Sequence, residues 1–252
     1  MPIQSNFQLT PIQRERIKSS LLSDEFLDLA KEKTLPIETL MTYYRCVIME
    51  IETKFCVLNE ELSLEDDRNP IETIKTRLKS WDSVIKKMRD KQLPMTLDSL
   101  EKNIFDVAGI RVICSFQEDI YRLAESFLRQ DDVKLIRHKD YIQNPKPNGY
   151  RSLHLIVEVP IFLKNETRLM KAEVQFRTIA MDFWASLEHK LRYKKNISEA
   201  DTELIAEELL LCSKMSAELD NRMQSVKNRI SKAEKNKRSN FETTPDKNGE
   251  NH

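Results

Sequence analysis

Two carboxylates and one band of cations carry the chemistry legible in this chain. Asp106 stands in Asp106-Val-Ala-Gly-Ile-Arg111, where an acid and a guanidinium flank a small turn entering a strand. A carboxylate so placed could hold Mg²⁺, which prefers oxygen ligands, or serve as an ordinary turn residue. Glu173 stands in Glu173-Val-Gln-Phe-Arg-Thr178, within an alternating segment. The alternation puts Lys171, Glu173, Gln175 and Arg177 on one face and Met170, Ala172, Val174 and Phe176 on the other. A polar row behind a core-forming row implies a water-accessible functional face; a glutamate on a strand edge is the plainer alternative. Lys75, Arg77, Lys79, Lys86, Lys87, Arg89 and Lys91, with only Asp82 and Asp90 among them, are the one basic concentration. They form either a phosphate-binding wall or a solvated helix face.

Composition narrows the chemistry further. Of 252 residues, 41 are Lys or Arg and 41 Asp or Glu, so no overall field draws the protein to nucleic acid or an anionic membrane, and any anion site is local. Three glycines exclude the Gly-rich cradles of P-loop and dinucleotide-binding folds, leaving side chains to hold any phosphate. Cys46, Cys56, Cys114 and Cys212 are scattered without a CxxC pair, as expected of reduced cytosolic thiols. With neither a bilayer-length apolar run nor a secretory signal pattern in MPIQSNFQLT, the expectation is a soluble cytoplasmic protein.

The elements that must position these residues follow from periodicity. Helices are predicted over residues 10–31, from Pro36 into the acidic stretch 60–67, and over 70–94, the last with the stripe Ile71, Ile74, Leu78, Trp81, Ile85 and Met88. Beyond Pro94 the period turns to two: Ile110, Val112, Cys114 and Phe116 share one side of a strand and Arg111 faces the other. A helix over 120–128, a strand over 133–137 and a loop over 144–149 carrying Lys146 lead to two strong strands. The first puts Leu153, Leu155, Val157 and Val159 on one face and Ser152, His154, Ile156 and Glu158 on the other; the second holds Glu173. Thr178 is a candidate N-cap for a helix packing Ala180, Phe183, Trp184, Leu187 and Leu191 inward. A final helix over 199–230 has the seam Leu204, Leu211, Met215, Leu219, Met223, Val226 and Ile230, and a polar tail expected to be disordered follows from about residue 234.

Downstream of Asp106 come Asn148-Gly-Tyr-Arg-Ser-Leu-His154, the Glu173 segment, and Ala180-Met-Asp-Phe-Trp-Ala-Ser-Leu-Glu-His189, in that order. The combination resembles the synthetase domain of RelA/SpoT-type enzymes, most closely the stand-alone small alarmone synthetases, over residues 44–195. Four short motifs agreeing in order and spacing make the resemblance specific. It implies an α+β (α/β) fold, a nucleotidyltransferase-like mixed β-sheet flanked by helices, with a helical region over 1–43, the synthetase domain over 44–195, a C-terminal helix over 196–233 and the tail over 234–252.

The implied reaction moves the β,γ-pyrophosphate of ATP to the 3′-hydroxyl of GDP or GTP, giving ppGpp or pppGpp and AMP. By position, Arg77, Lys79, Ser83, Lys87 and Arg111 match the ATP site, where guanidinium planarity suits stacking and bidentate phosphate contact. Asp106 matches the Mg²⁺ ligand, and Glu173 the general base that also reaches the metal. Tyr150 matches the ring that stacks on guanine. Lys139, Lys146, His154, Gln175 and Asp182 match positions near the acceptor GDP or GTP, while Glu188 and His189 buttress the site or do no more than pack. Asp182 stands where several relatives carry asparagine, and Ser80-Trp81 replaces a commoner Pro-containing version. No His-Asp dipeptide occurs, so the hydrolase half of the long bifunctional relatives is expected to be absent. The resemblance also implies a homotetramer built through the terminal helices, with a guanosine polyphosphate or RNA as a regulatory partner. A nucleotide- or RNA-binding module without turnover and a helical assembly protein are the competing readings; retention of both carboxylates argues against the first.

Overall fold

The computed structural model describes residues 24–66, 68–192 and 199–242. A 43-residue helix, α1 (Asp24–Asp66), runs through the expected start at Pro36 and across the expected boundary at residue 43. A proline costs a helix one hydrogen bond and a local clash but need not end it. The part of the expected first helix over 10–23 lies outside the described residues.

The helix expected over 70–94 is instead a strand, β1 (Ile71–Leu78), followed by a helix, α2 (Trp81–Asp90). The β-branched run Ile71, Thr73, Ile74, Thr76 favours the extended chain. Ser80, at φ −62° and ψ 148°, caps α2 by accepting from the Ser83 N–H, and Lys79 N–H donates to Val107 O at 2.8 Å. That break puts Lys75 and Arg77 on a strand and Lys87 on a helix. A short helix not foreseen, α3 (Leu97–Asn103), then precedes β2 (Ala108–Cys114). The chain continues through α4 (Gln117–Leu128), β3 (Lys134–Asp140), β4 (Leu153–Phe162), β5 (Thr167–Thr178), α5 (Ile179–Arg192) and α6 (Glu199–Glu242). α6 therefore carries on through residues 234–242, where a disordered tail was expected; residues 243–252 lie outside the described ones.

The five strands form one mixed sheet in the order β1-β2-β5-β4-β3, with only β2 and β5 parallel. Its apolar face packs on α1, whose Tyr44, Val47, Ile51, Phe55 and Leu58 are buried. Phe55 lies 4.6 Å from Phe127 of α4 and edge-on to Phe176 of β5 at 5.5 Å, so one ring ties two helices to the central strand.

α5 and α6 pack on each other through a narrow set of contacts, including Trp184 Nε1–H to Leu209 O and Ser216 Oγ–H to Ala180 O. Of the α5 residues expected inside, Trp184 is buried, but Phe183, Leu187 and Leu191 are 64%, 41% and 45% exposed. The α6 seam is exposed as well, from Leu204 to Ile230. A helical period identifies an apolar stripe without saying which element covers it.

Candidate active site

On the other face of the sheet, five side chains stand in one register row. Lys75 lies opposite Arg111, Arg111 opposite Gln175, Gln175 opposite His154, and His154 opposite Lys139. The adjoining row reads Arg77, Gly109, Glu173, Ile156, Arg137. Residues opposite each other in paired strands share a face, so the alternation that buries one side concentrates titratable groups on the other.

Two cavities open over these rows. The larger, about 700 Å³, has cations Lys87, Lys91, Arg137, Lys139 and Lys146 in its wall, with Tyr141 and His154 beside them. The smaller, about 420 Å³, is lined by Lys75, Arg77, Gly109, Arg111 and Gln175. Asp106 and Glu173 border both. Asp106 comes from the turn before β2 and Glu173 from the middle of β5, so the two carboxylates meet on one side of the sheet between two basic chambers.

Each carboxylate is held ionised. Burial pushes Asp106 up, but hydrogen bonds from Lys87 and Lys79 outweigh it and hold the carboxyl below its usual range. Both ammonium groups donate to Oδ2, at 2.6 and 2.9 Å, leaving Oδ1 buried with no hydrogen-bond partner. Such an orphaned oxygen is the kind of ligand a hard divalent cation takes. Burial likewise pushes Glu173 up, and bonds from His154 and Gln175 bring it below its usual range. His154 Nδ1 lies 3.2 Å from Glu173 Oε1, and Gln175 Nε2 donates to Oε2 at 2.8 Å. Among the described residues no set of three or more His, Cys, Asp or Glu converges as a metal cage. Two carboxylates still suit Mg²⁺, which commonly completes its shell with substrate phosphates and water.

His154 links this centre to an aromatic corner. Its Nε2 is 2.9 Å from the Tyr150 hydroxyl, and Tyr141, Tyr150 and His154 meet edge to face. The Lys146 ammonium sits 4.7 Å from the Tyr141 ring centre and 4.8 Å from that of Tyr150. Gly149 makes the turn into Tyr150 at φ 88°, where a Cβ would stand 2.6 Å from the Ser213 Cβ of α6. The Ser213 hydroxyl donates to Gly149 O, so a helix late in the chain braces the aromatic corner.

The structure thus brings Lys139, Lys146 and His154 to the larger cavity, Arg77, Arg111 and Gln175 to the smaller, and Lys79 and Lys87 onto Asp106. Tyr150 stands behind His154 and beneath Lys146. Four residues matched to the site, Lys79, Ser83, Tyr150 and Asp182, are in neither cavity wall. Ser83 pairs with Ser80 at the start of α2, and Asp182 is 6% exposed among Lys75, Arg111 and Arg177. Burial raises the Asp182 pKa, but Lys75, Arg177 and Arg111 bring it below the usual carboxylate range. Asn148 donates to Glu188, which buttresses the 144–149 loop. Lys91 of the basic concentration also lines the larger cavity, and Arg137 and Tyr141 join it without having been marked as site residues by the sequence; the alternation Arg137, Lys139 on β3 carried a signal for the first, and nothing local marked Tyr141.

Known proteins resemble this chain over most of its length. A family model described as a region found in RelA/SpoT proteins covers residues 76–198. The chain is 43% identical over 187 residues to the GTP pyrophosphokinase YwaC of Bacillus subtilis, covering 74% of this chain and 88% of that one. It is 31% identical over 198 residues to the GTP pyrophosphokinase YjbM of the same organism, covering 78% and 91%. Among solved structures, the small alarmone synthetase 2 of B. subtilis superposes with a TM-score of 0.68 at 39% identity, over 76% of this chain and 98% of that one. The small alarmone synthetase 1 bound to its product pppGpp does so with a TM-score of 0.69 at 32% identity, over 77% and 98%.

Proposed function

This chain belongs to the RelA/SpoT family, and from that premise we propose that it is a GTP pyrophosphokinase that makes ppGpp or pppGpp. The carrying observation is that Asp106 and Glu173 border both basic cavities at once. A transfer between two nucleotides needs two anion sites meeting at one reacting centre, and that is the arrangement here.

In this reading ATP occupies the smaller cavity, with Arg77 and Arg111 against adenine and Lys79 and Lys87 turning from Asp106 to its phosphates. The acceptor GDP or GTP occupies the larger, its base on Tyr150 and its phosphates toward Lys139 and Lys146. Glu173 takes the proton from the 3′-hydroxyl as that oxygen bonds to the β-phosphorus. The bond from the β-phosphorus to the α,β-bridging oxygen breaks, AMP leaves with the electron pair, and pyrophosphate stays on the ribose. His154 and Gln175 orient the base through its two oxygens. Asp106 and Glu173 would hold Mg²⁺, which when bound neutralises charge building on the transferred phosphates. No described helix is long and apolar enough to cross a membrane, in keeping with a cytoplasmic enzyme. We read the exposed stripes on α5 and α6 as surfaces that meet copies of the same chain in a homotetramer.

The test is direct. Purified protein incubated with Mg²⁺, ATP and GDP is expected to yield AMP together with a more highly charged guanosine nucleotide, separable by anion exchange. Neither product appearing overturns the assignment.

A further inference from the structure

Asp182 touches neither cavity, yet it holds two residues that line the smaller one and a third, Arg177, that reaches the aromatic corner of the larger. Its Oδ2 accepts from Lys75 Nζ at 2.8 Å, and its Oδ1 is shared by Arg111 at 3.3 Å and Arg177 at 2.9 Å. Lys75 and Arg111 line the smaller cavity. Arg177 faces the other way: its second terminal nitrogen donates to the Tyr150 hydroxyl at 2.8 Å, and its guanidinium carbon lies 5.1 Å from that ring's centre. The same hydroxyl meets His154, which meets Glu173. One buried carboxylate therefore stands at the fork of a continuous polar chain from the smaller cavity to the aromatic corner of the larger.

We infer that Asp182 is a positioning residue that couples the two nucleotide sites: Arg111 and Arg177 compete for one carboxylate oxygen, so a donor that draws Arg111 away leaves Arg177 held more firmly on Tyr150. The inference rests on the donor and acceptor assignments above. The competition is physical, because the guanidiniums carry like charge in a site screened little by water. Arg111 is pushed below its usual pKa by burial first and by Arg177 next. Arg177 is 5% exposed, so solvent offers it little in exchange when its hold on Asp182 slackens. Firming Arg177 fixes the Tyr150 ring before the acceptor arrives, which lowers the ordering cost of stacking. By linkage the acceptor tightens donor binding by the same factor.

The measurement is calorimetric titration of the full chain with GDP, in Mg²⁺, with and without α,β-methylene ATP, a donor that cannot give up pyrophosphate. For wild type the analogue is expected to tighten GDP binding roughly fivefold or more, the lower end of typical coupling. Asp182→Asn, checked for folding by circular dichroism, is expected to bind each nucleotide alone but with a coupling ratio near one. Tyr150→Phe keeps the ring and removes only the hydroxyl that Arg177 grips, so it should show the same ratio and serves if the Asp182 variant does not fold. A ratio near one in wild type overturns the coupling, as does a wild-type ratio in a folded Asp182→Asn or in Tyr150→Phe. Wild-type protein that binds neither nucleotide overturns the activity reading itself, whereas one that makes product without coupling overturns this inference alone.

Discussion

The two faces of the sheet come from the same strands and the same alternation, and they end in opposite states. On one, Ile110, Val112, Leu155, Val157, Val174 and Phe176 are at most 1% exposed. On the other, Lys75, Arg111, Gln175, His154 and Lys139 share a row around two cavities. The apolar face is close to fully satisfied by its neighbours. The polar face is not: Asp106 Oδ1, Arg111 Nε and Arg177 Nε are buried with no hydrogen-bond partner. Leaving polar atoms unpaired costs stability, which the core must offset, and those atoms are the ones a substrate or ion can satisfy. The division of labour is that one face supplies rigidity and the other stays short of partners.

Substitutions on each face should separate these roles. The largest effect is expected from Glu173→Gln, which keeps the size and shape of the side chain on β5 and removes the base. Turnover should fall by roughly 10²–10⁴-fold, the usual contribution of general base catalysis, while calorimetric ATP binding changes little. Full turnover in that variant contradicts the role assigned to Glu173. Phe55→Ala on the apolar face should do the reverse, lowering unfolding free energy by about 3–5 kcal/mol as for other buried aromatics while leaving turnover per folded molecule near wild type. Urea unfolding and an assay below the transition measure both.

Legibility followed the same division. Glu173, Gln175 and Arg177 could be placed on one face because period two persists through the twelve residues of β5. β1 was misread because Ile71, Ile74 and Leu78 also fit a helical period, and the β-branched residues between them were the deciding signal. Asp182 could be matched to the acceptor site by resemblance, but not to its partners, since Lys75 and Arg111 lie 107 and 71 positions away. Nor could the exposure of Phe183, Leu187 and Leu191 be read, because an apolar stripe reads the same whether its cover is in this chain or another.

The acid limb of stability gives a finer probe of the polar face. Asp182 has a folded pKa below its usual value, so its contribution is complete above the unfolded pKa of about 4 and is lost as pH falls through the lower folded value. Asp182→Asn lacks that term at every pH. The stability gap between wild type and variant, followed by urea midpoint from pH 7 to pH 3, should therefore be constant near neutrality and close below about pH 4. A gap that is unchanged at pH 3 removes Asp182 from the ionised network.

The smallest effect tests the boundary between the faces. Gly109 lies in the row between Arg77 and Glu173, on the wall of the smaller cavity. A Cβ there would meet Arg77 O at 3.5 Å, an ordinary contact, so the strand itself has no need of glycine. Gly109→Ala should stabilise the fold by about 0.5–1 kcal/mol, the conformational entropy a strand glycine forfeits. The added methyl would nevertheless project onto the polar face between a donor-site arginine and the base. The KM for ATP should rise while the melting temperature rises too, two changes of opposite consequence from one carbon atom. If ATP binding is indifferent to that methyl, the smaller cavity is not where the donor sits.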